Sequence, residues 1–286
     1  MNAYNAYHVV NYHITNRCNY RCTYCFGKFE GQKDPPPETG KIILDCIAAY
    51  FRANQISDGR VNFAGGEPTL YPHLDELIDH AHSLGMTASI VTNGSNLTPE
   101  RIRSWKGKIA CIGLSIDSIR TNTNKQIGRC CQGNVKTLED WSHLASAIRE
   151  CGISLKVNTV VSKWNVGEDL LPLYGALKPD KIKLFQMHLI HGINDAAKPY
   201  EITDEEFQEF CARHRAYSKA PIISEPCGSM ENSYLMVNPA GYVQLNNNGT
   251  YECFGNCLDT PFSEIMRSVP MNAERFQARY AGGTAE

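Results

Sequence analysis

The sequence predicts an α/β fold in which a parallel sheet curls into a partial or complete barrel. Six strand-like runs alternate with stretches of helical periodicity over the first two thirds of the chain. The 286 residues, 42% of them hydrophobic, suffice for one substantial core. Repeated strand–helix units joined by right-handed crossovers leave few other topologies.

Element by element, "HVVNYHI" (His8 to Ile14) reads as the first strand and "PETGKIILDCIAAYFRANQ" (Pro37 to Gln55) as a helix with apolar residues at helical spacing. "RVNFA" is the second strand, and "LYPHLDELIDHAHSLG" a helix closed by Gly85. "TASIVT" follows, then a short helix after Thr98 and Pro99, then the buried-type strand "IACIGLSI". "NVKTLEDWSHLASAIRECG" is a helix ended by Gly152, "ISLKVNTVV" the fifth strand, "GEDLLPLYGALK" a short helix and "DKIKLFQMH" the sixth strand. After His188 the rhythm changes to a loop, a capped helix "TDEEFQEFCARHRAYS", and a hairpin "ENSYLMVNPAGYVQLNNNG" turning at Asn238 to Gly241. The expected organisation is a single domain over 1–286, with residues 8–188 as barrel and 189–286 as a C-terminal extension of helix and small β-hairpin covering the active site.

Charge narrows the function. Basic residues number 28 against 30 acidic ones, so no global positive field draws the chain to nucleic acid or an anionic membrane, and any anion site must be local. The first residues lack a basic segment followed by an apolar run, and no stretch approaches eighteen uninterrupted apolar residues, which predicts a cytoplasmic protein. In a reducing compartment the twelve cysteines are thiols. Cys46, Cys111, Cys151 and Cys211 read as small hydrophobes in helices, strands or helix ends.

"NRCNYRCTYCF" (Asn16 to Phe26) is different, because it places Cys18, Cys22 and Cys25 within eight residues. A structural zinc site closes with four protein ligands, and no fourth is evident here. A cuboidal four-iron cluster with three thiolate ligands keeps one iron open for a substrate or cofactor. "GGEP" (Gly65 to Pro68) follows the second strand, where two glycines let the backbone approach a ligand closely.

These segments resemble the radical S-adenosylmethionine enzymes. The resemblance implies a partial (βα)6 barrel, one 4Fe-4S cluster on Cys18, Cys22 and Cys25, and S-adenosylmethionine chelated by the open iron. It also implies cofactor contacts from Tyr24, from Gly65, Gly66 and Glu67, and from the strand-end segments "TNG" and "SIDS" through Asn93, Ser115 and Asp117. The last three equally suit turns that satisfy local backbone groups.

Barrel active sites gather at the carboxyl ends of the strands. Arg60, Arg129, Lys156, Asn158, Lys181 and Lys183 lie on or beside the strands, and period-two alternation sends Lys156 with Asn158, and Lys181 with Lys183, to one face each. A basic residue pointing into a barrel meets an anion or pairs with a carboxylate.

Further segments, including "VNFAGGEP", "NKQIGR", "LKVNTVVSKWNVGED", "KIKLFQ" and "NSYLMV", resemble the viperins from about Val10 to Asp259. That likeness implies dehydration of a nucleoside triphosphate, typically CTP, to its 3'-deoxy-3',4'-didehydro form, an antiviral chain terminator. Arg60, Arg129, Lys156 and Lys183 would clamp the triphosphate, Lys181 would add charge, Asn158 would orient the ligand, and Tyr234 would sit beside the sugar and act catalytically. It further implies a monomer, and an electron donor such as flavodoxin or ferredoxin. Ala64 departs from the serine of animal viperins, and neither their N-terminal amphipathic helix nor their aromatic terminus is matched by "MNAYNAY" or "AGGTAE". Two other readings compete: a second cluster on Cys227, Cys253 and Cys257 in an enzyme acting on a peptide or other substrate, and a module that only binds metal or nucleotide.

Overall fold

The alternation in the sequence becomes one curled sheet. The computed structural model describes residues 7–27 and 33–280. In chain order the elements are β1 (Val9–His13), α1 (Pro37–Ala53), β2 (Arg60–Ala64), α2 (Leu74–Ser83), β3 (Thr87–Thr92), α3 (Pro99–Ser104), β4 (Ile109–Ser115), α4 (Thr121–Ile127), α5 (Leu138–Glu150), β5 (Ser154–Val161), α6 (Leu171–Leu177) and β6 (Lys181–Gln186). There follow α7 (Asp204–His214), β7 (Ile222–Glu225), β8 (Met236–Val237), β9 (Tyr242–Asn247), β10 (Thr250–Asn256), α8 (Phe262–Ile265) and α9 (Ala273–Tyr280). The strand order is β10-β9-β8-β1-β2-β3-β4-β5-β6-β7. Strands β1 to β7 run parallel, β8 pairs parallel with β1, and β9 and β10 complete an antiparallel edge. Strands β7 and β10 are the two edges, so the barrel is open.

Local chemistry explains the helices. Proline at the first position opens α1, which buries Ile43, Leu44, Ile47 and Phe51 on one face. Reciprocal capping boxes start α5 (Thr137 with Asp140) and α7 (Thr203 with Glu206). Gly85 and Gly152 stop α2 and α5 with φ of +76° and +70°.

The strand alternation has a functional meaning. Val10, Tyr12, Val61, Phe63, Ala88 and Ile90 point outward into the helix-covered core, while Asn11, Asn62 and Ser89 point inward. A barrel floor of polar residues is a ligand site rather than a packed core. Asn62 donates to Asn11 (2.8 Å), Ser89 donates to Asn62 (3.1 Å) and Asn11 donates to the Leu235 carbonyl (3.1 Å), so this buried ladder is internally satisfied.

The sheet reaches further than the sequence alternation indicates. Helix α7, expected in the extension, is the crossover from β6 to a seventh parallel strand, β7. That strand has only four residues, too few for a periodic signal. Helix α4, "TNTNKQI", is rich in weak helix formers and was not assigned from the sequence. The hairpin turns where expected, with Gly241 N–H donating to the Asn238 carbonyl, and β10 then extends it. The tail "AGGTAE" and the first six residues lie outside the described residues. Among the described residues, no helix is long and apolar enough to cross a membrane.

Candidate active site

The carboxyl end of β1 releases the chain into the cysteine loop, and the carboxyl end of β2 releases it into the Gly-Gly segment. The two segments bind each other through backbone: Gly66 N–H donates to the Thr15 carbonyl and Glu67 N–H to the Arg17 carbonyl, both at 2.7 Å. Such an approach excludes side chains. A Cβ on Gly66 would lie 2.3 Å from the Arg17 carbonyl oxygen, and Gly65, at φ +135°, would place one 2.5 Å from that of Thr15. The glycines therefore form a cradle against the cysteine loop.

Glu67 fastens this cradle to the neighbouring strand. Its buried carboxylate accepts from the Thr69 N–H (3.1 Å) and hydroxyl (2.6 Å), the Thr92 hydroxyl (2.6 Å) and the Asn93 N–H (2.7 Å). Burial raises its pKa and these donors act against that shift. Asn93 in turn donates its amide to Asn19 in the cysteine loop at 2.9 Å.

Cys18, Cys22 and Cys25 all line one end of a cavity of about 960 Å³. Burial raises the Cys18 thiol and pushes Cys22 up to about 12. A partly enclosed set of three thiols bordering the glycine cradle fits an iron–sulfur cluster that takes three protein ligands, with the cofactor at the cradle.

Asp117, just beyond β4, holds the loop from the other side. Its carboxylate accepts from the Tyr24 hydroxyl, from Arg129 Nε, and from the Val160 N–H at 2.7 Å. Asp117 is completely buried and does not border the cavity, whereas Tyr24 and Arg129 do. Arg129 therefore stands at the thiol end, away from the strand lysines. It is a positive group beside Cys22 and Tyr24, and Asp117 keeps its guanidinium charged.

The other end of the cavity is basic. Arg60, Lys156, Lys183 and Arg279 border it together with Asn158, whose Oδ1 is buried without a hydrogen-bond partner. Lys183 donates to Glu225 (2.7 Å) and to the Arg279 carbonyl (2.8 Å), and Arg279 pairs with the other Glu225 oxygen at 2.5 Å. Burial lowers Lys183 to about 7 and lowers Lys156 as well. Tyr234 borders the same space, with the Arg279 guanidinium 5.0 Å from its ring centre and His13 edge-on at 6.3 Å.

Of the residues singled out in the sequence, Tyr24, Gly65, Gly66, Glu67, Asn93, Ser115, Arg60, Arg129, Lys156, Asn158, Lys183 and Tyr234 border this cavity with the three cysteines. Lys181 does not; it is buried at the amino end of β6, beside Lys156 on β5. Arg279, Glu225 and His13 escaped sequence reasoning. The available signal was Arg279 on the same face of α9 as Phe276, a charge three residues from a fully buried ring. The tail cysteines disperse: Cys227 donates to the Met187 carbonyl, Cys253 is exposed on β10, and Cys257 is buried with its carbonyl accepting from Cys46 on α1.

The barrel and its three-thiol loop define a class of cofactor-dependent enzyme, and comparison with known proteins identifies it. The Radical SAM superfamily profile matches residues 12–171. An S-adenosylmethionine-dependent nucleotide dehydratase of Flammeovirga pacifica is 36% identical over 275 residues, covering 93% of this chain and 92% of that protein. The S-adenosylmethionine-dependent nucleotide dehydratase RSAD2 of Oncorhynchus mykiss is 30% identical over 240 residues, covering 80% of this chain and 66% of that one. Among solved structures, native anSMEcpe with bound AdoMet and Cp18Cys peptide matches with a TM-score of 0.71 at 15% identity, covering 94% of this chain and 83% of that one; this likeness concerns the fold alone. The chain belongs to the radical SAM superfamily and, within it, to the family of S-adenosylmethionine-dependent nucleotide dehydratases. Its cofactors are accordingly a 4Fe-4S cluster and S-adenosylmethionine.

Proposed function

We propose that the protein is a radical SAM nucleotide dehydratase that acts on a nucleoside triphosphate, CTP foremost, and forms the 3'-deoxy-3',4'-didehydro nucleotide, a chain terminator for polymerases. The observation that carries the choice of a triphosphate is the cavity itself, with three thiols at one end and, at the other, the half-buried cations Arg60 and Lys156 and the buried cations Lys183 and Arg279. Partly and fully buried cations lining one end of a cavity are complementary to a polyanion.

When bound, the cluster and S-adenosylmethionine would supply a 5'-deoxyadenosyl radical that takes the C4' hydrogen of the ribose; loss of the 3'-hydroxyl as water then takes up one proton and one further electron from the external donor, which completes the didehydro product. The chain's own contribution is placement, because selectivity depends on which hydrogen lies nearest. Lys156, Lys183 and Arg60 hold the phosphates. Arg279 reinforces them, and Asn158 offers its unsatisfied Oδ1 to a ligand donor. Arg129, fixed by Asp117 at the thiol end, fits the methionyl carboxylate better than the triphosphate assigned to it from sequence. Tyr234 stands over the sugar position with a hydroxyl that burial keeps protonated. An external one-electron donor reduces the cluster, and the enzyme works as a monomer in the cytoplasm.

The test is anaerobic reconstitution with iron and sulfide, reduction, and incubation with S-adenosylmethionine plus CTP, UTP, GTP or ATP separately. One nucleotide should raise 5'-deoxyadenosine release and itself lose the mass of water, as read by mass spectrometry. Cofactor cleavage with no change in any nucleotide would refute the substrate. The Lys156→Ala variant should keep the cluster's brown absorbance but lose about tenfold or more in kcat/KM for the nucleotide, the order expected for a charged contact. Equal turnover would sink the triphosphate assignment.

A further inference from the structure

The surface outside the thiol end carries a charge pattern that the reaction in the cavity does not use. Residues 16–27 and 118–138 contain six basic residues and no carboxylate, in a chain with two more acidic than basic residues overall; Arg17 pairs with Asp34 and Arg129 with Asp117, which leaves Arg21, Arg120, Lys125 and Lys136. These two segments pack on each other. Arg21 N–H donates to the Gly128 carbonyl (3.1 Å), Thr23 N–H to the Ile127 carbonyl (3.0 Å), and the Asn19 amide reaches Cys131 Sγ at 3.7 Å. Gly128, at φ +89°, would put a Cβ 2.2 Å from the Arg21 carbonyl, so α4 sits directly on the cysteine loop.

Arg21, exposed at the rim of the cavity, spans the loop and donates to the Cys18 carbonyl (2.5 Å) and the Tyr20 carbonyl (2.9 Å). Arg120 and Lys125 are exposed at the two ends of α4. Ile119, beside Arg120, is one of four large hydrophobic residues exposed among the described residues, at 38%. Among the described residues no carboxylate forms an ion pair with Arg21, Arg120 or Lys125. Beneath this face, Cys22 Sγ lies 3.8 Å from the Gly128 carbonyl, so a single backbone turn separates a cluster thiol from the α4 surface.

We propose that the exposed surface of α4 and of the turn before it, with Ile119, Arg120 and Lys125, is the docking site for an acidic one-electron carrier protein that reduces the cluster. The proposal rests on the radical SAM reading, which requires one electron to enter at the thiol end. That electron leaves the carrier's redox cofactor and lowers the cluster charge by one, with no proton and no bond exchanged. Charge complementarity selects an acidic partner, since a basic patch on a net-acidic body repels other basic surfaces and orients anionic ones. An exposed apolar residue beside unpaired cations suits the small, transient contact of electron-transfer pairs.

The experiment uses the reconstituted holoenzyme and reduced flavodoxin as the acidic carrier, with cluster reduction followed by absorbance in stopped flow. For the unsubstituted enzyme the second-order rate constant should fall steeply with added salt. The Arg120→Glu/Lys125→Glu variant should react about tenfold or more slowly and lose most of that salt dependence. Its affinity for oxidised flavodoxin should weaken in parallel. Reduction by dithionite should proceed equally in both proteins, and the matched reversal Arg215→Glu/Lys219→Glu, at the opposite ends of the strands, should leave the flavodoxin rate unchanged. Equal flavodoxin rates in the Arg120/Lys125 variant, or a rate without salt dependence in the unsubstituted enzyme, would overturn the proposal. So would a dimer in sedimentation that the double substitution dissolves, which would assign the face to a second copy of this chain. Because the readout is cluster reduction, a failure of nucleotide turnover under dithionite would tell against the substrate reading and leave this test intact.

Discussion

At the scale of the residue, Lys183 joins charge to chemistry. Burial lowers its pKa to about 7, while the Glu225 carboxylate at 2.7 Å favours its charged form. The triphosphate proposed for this site needs that lysine protonated, so on that proposal binding above pH 7 must take up a proton that binding at pH 6 does not. Nucleotide affinity should accordingly be level below about pH 7 and decline above it, by at most tenfold per pH unit for this one group. Isothermal titration at pH 8 in two buffers of different ionisation enthalpy should reveal proton uptake, and Lys183→Met should abolish it. Affinity that stays constant from pH 6 to 9 would exclude the lysine from the phosphate site. The residue types of this site were legible in the sequence, because spacing alone distinguishes three clustered thiols from scattered ones. Their partners were not: no pattern pairs Glu225 with both Lys183 and Arg279 across 42 and 54 positions of chain, and Asp117 reads as a turn residue until Arg129 and Tyr24 are seen to meet on it.

At the scale of the element, the contact between α4 and the cysteine loop is made by backbone. Gly128 ends α4 in the left-handed conformation and touches the Arg21 carbonyl. In Gly128→Ala the added methyl must move either α4 or the loop that carries Cys22, in addition to the cost of about 1 kcal/mol for the left-handed backbone. The variant should lose about 2–4 kcal/mol in urea unfolding and incorporate less iron per chain on reconstitution. Full iron content with unchanged stability would show that the contact tolerates a side chain. The βα rhythm through β6 was readable because each unit keeps one period for long enough. Strand β7 and helix α4 were not, the first being four residues and the second built from threonine and asparagine that hydrogen-bond their own backbone as readily as they form helix.

At the scale of the whole molecule, an open sheet is tied together by charges at its base. Arg279 on α9 reaches Glu225 at the end of β7, and the α9 backbone accepts from Lys183 on β6. Both Arg279 and Glu225 are about 95% or more buried. Arg279→Ala leaves Glu225 half-neutralised in a low-dielectric site and should cost about 3–5 kcal/mol of stability, with a raised KM for the nucleotide. Arg279→Lys should recover part of both, as equilibrium unfolding and steady-state kinetics would measure. A stability loss under 1 kcal/mol would mean that α9 is not anchored there.

The span of the cavity wall, from Val9 on the first strand to Tyr280 on the last described helix, bears on how the protein is made. A nascent chain that has emerged only through β4 already presents all three cluster thiols and the glycine cradle, yet lacks every lysine of the basic end. Metal loading is possible early in synthesis, whereas on the proposed assignment of the basic end competence for the nucleotide arrives only once the segment around residue 280 has been made, so partly made chains would neither sequester nor consume the nucleotide pool.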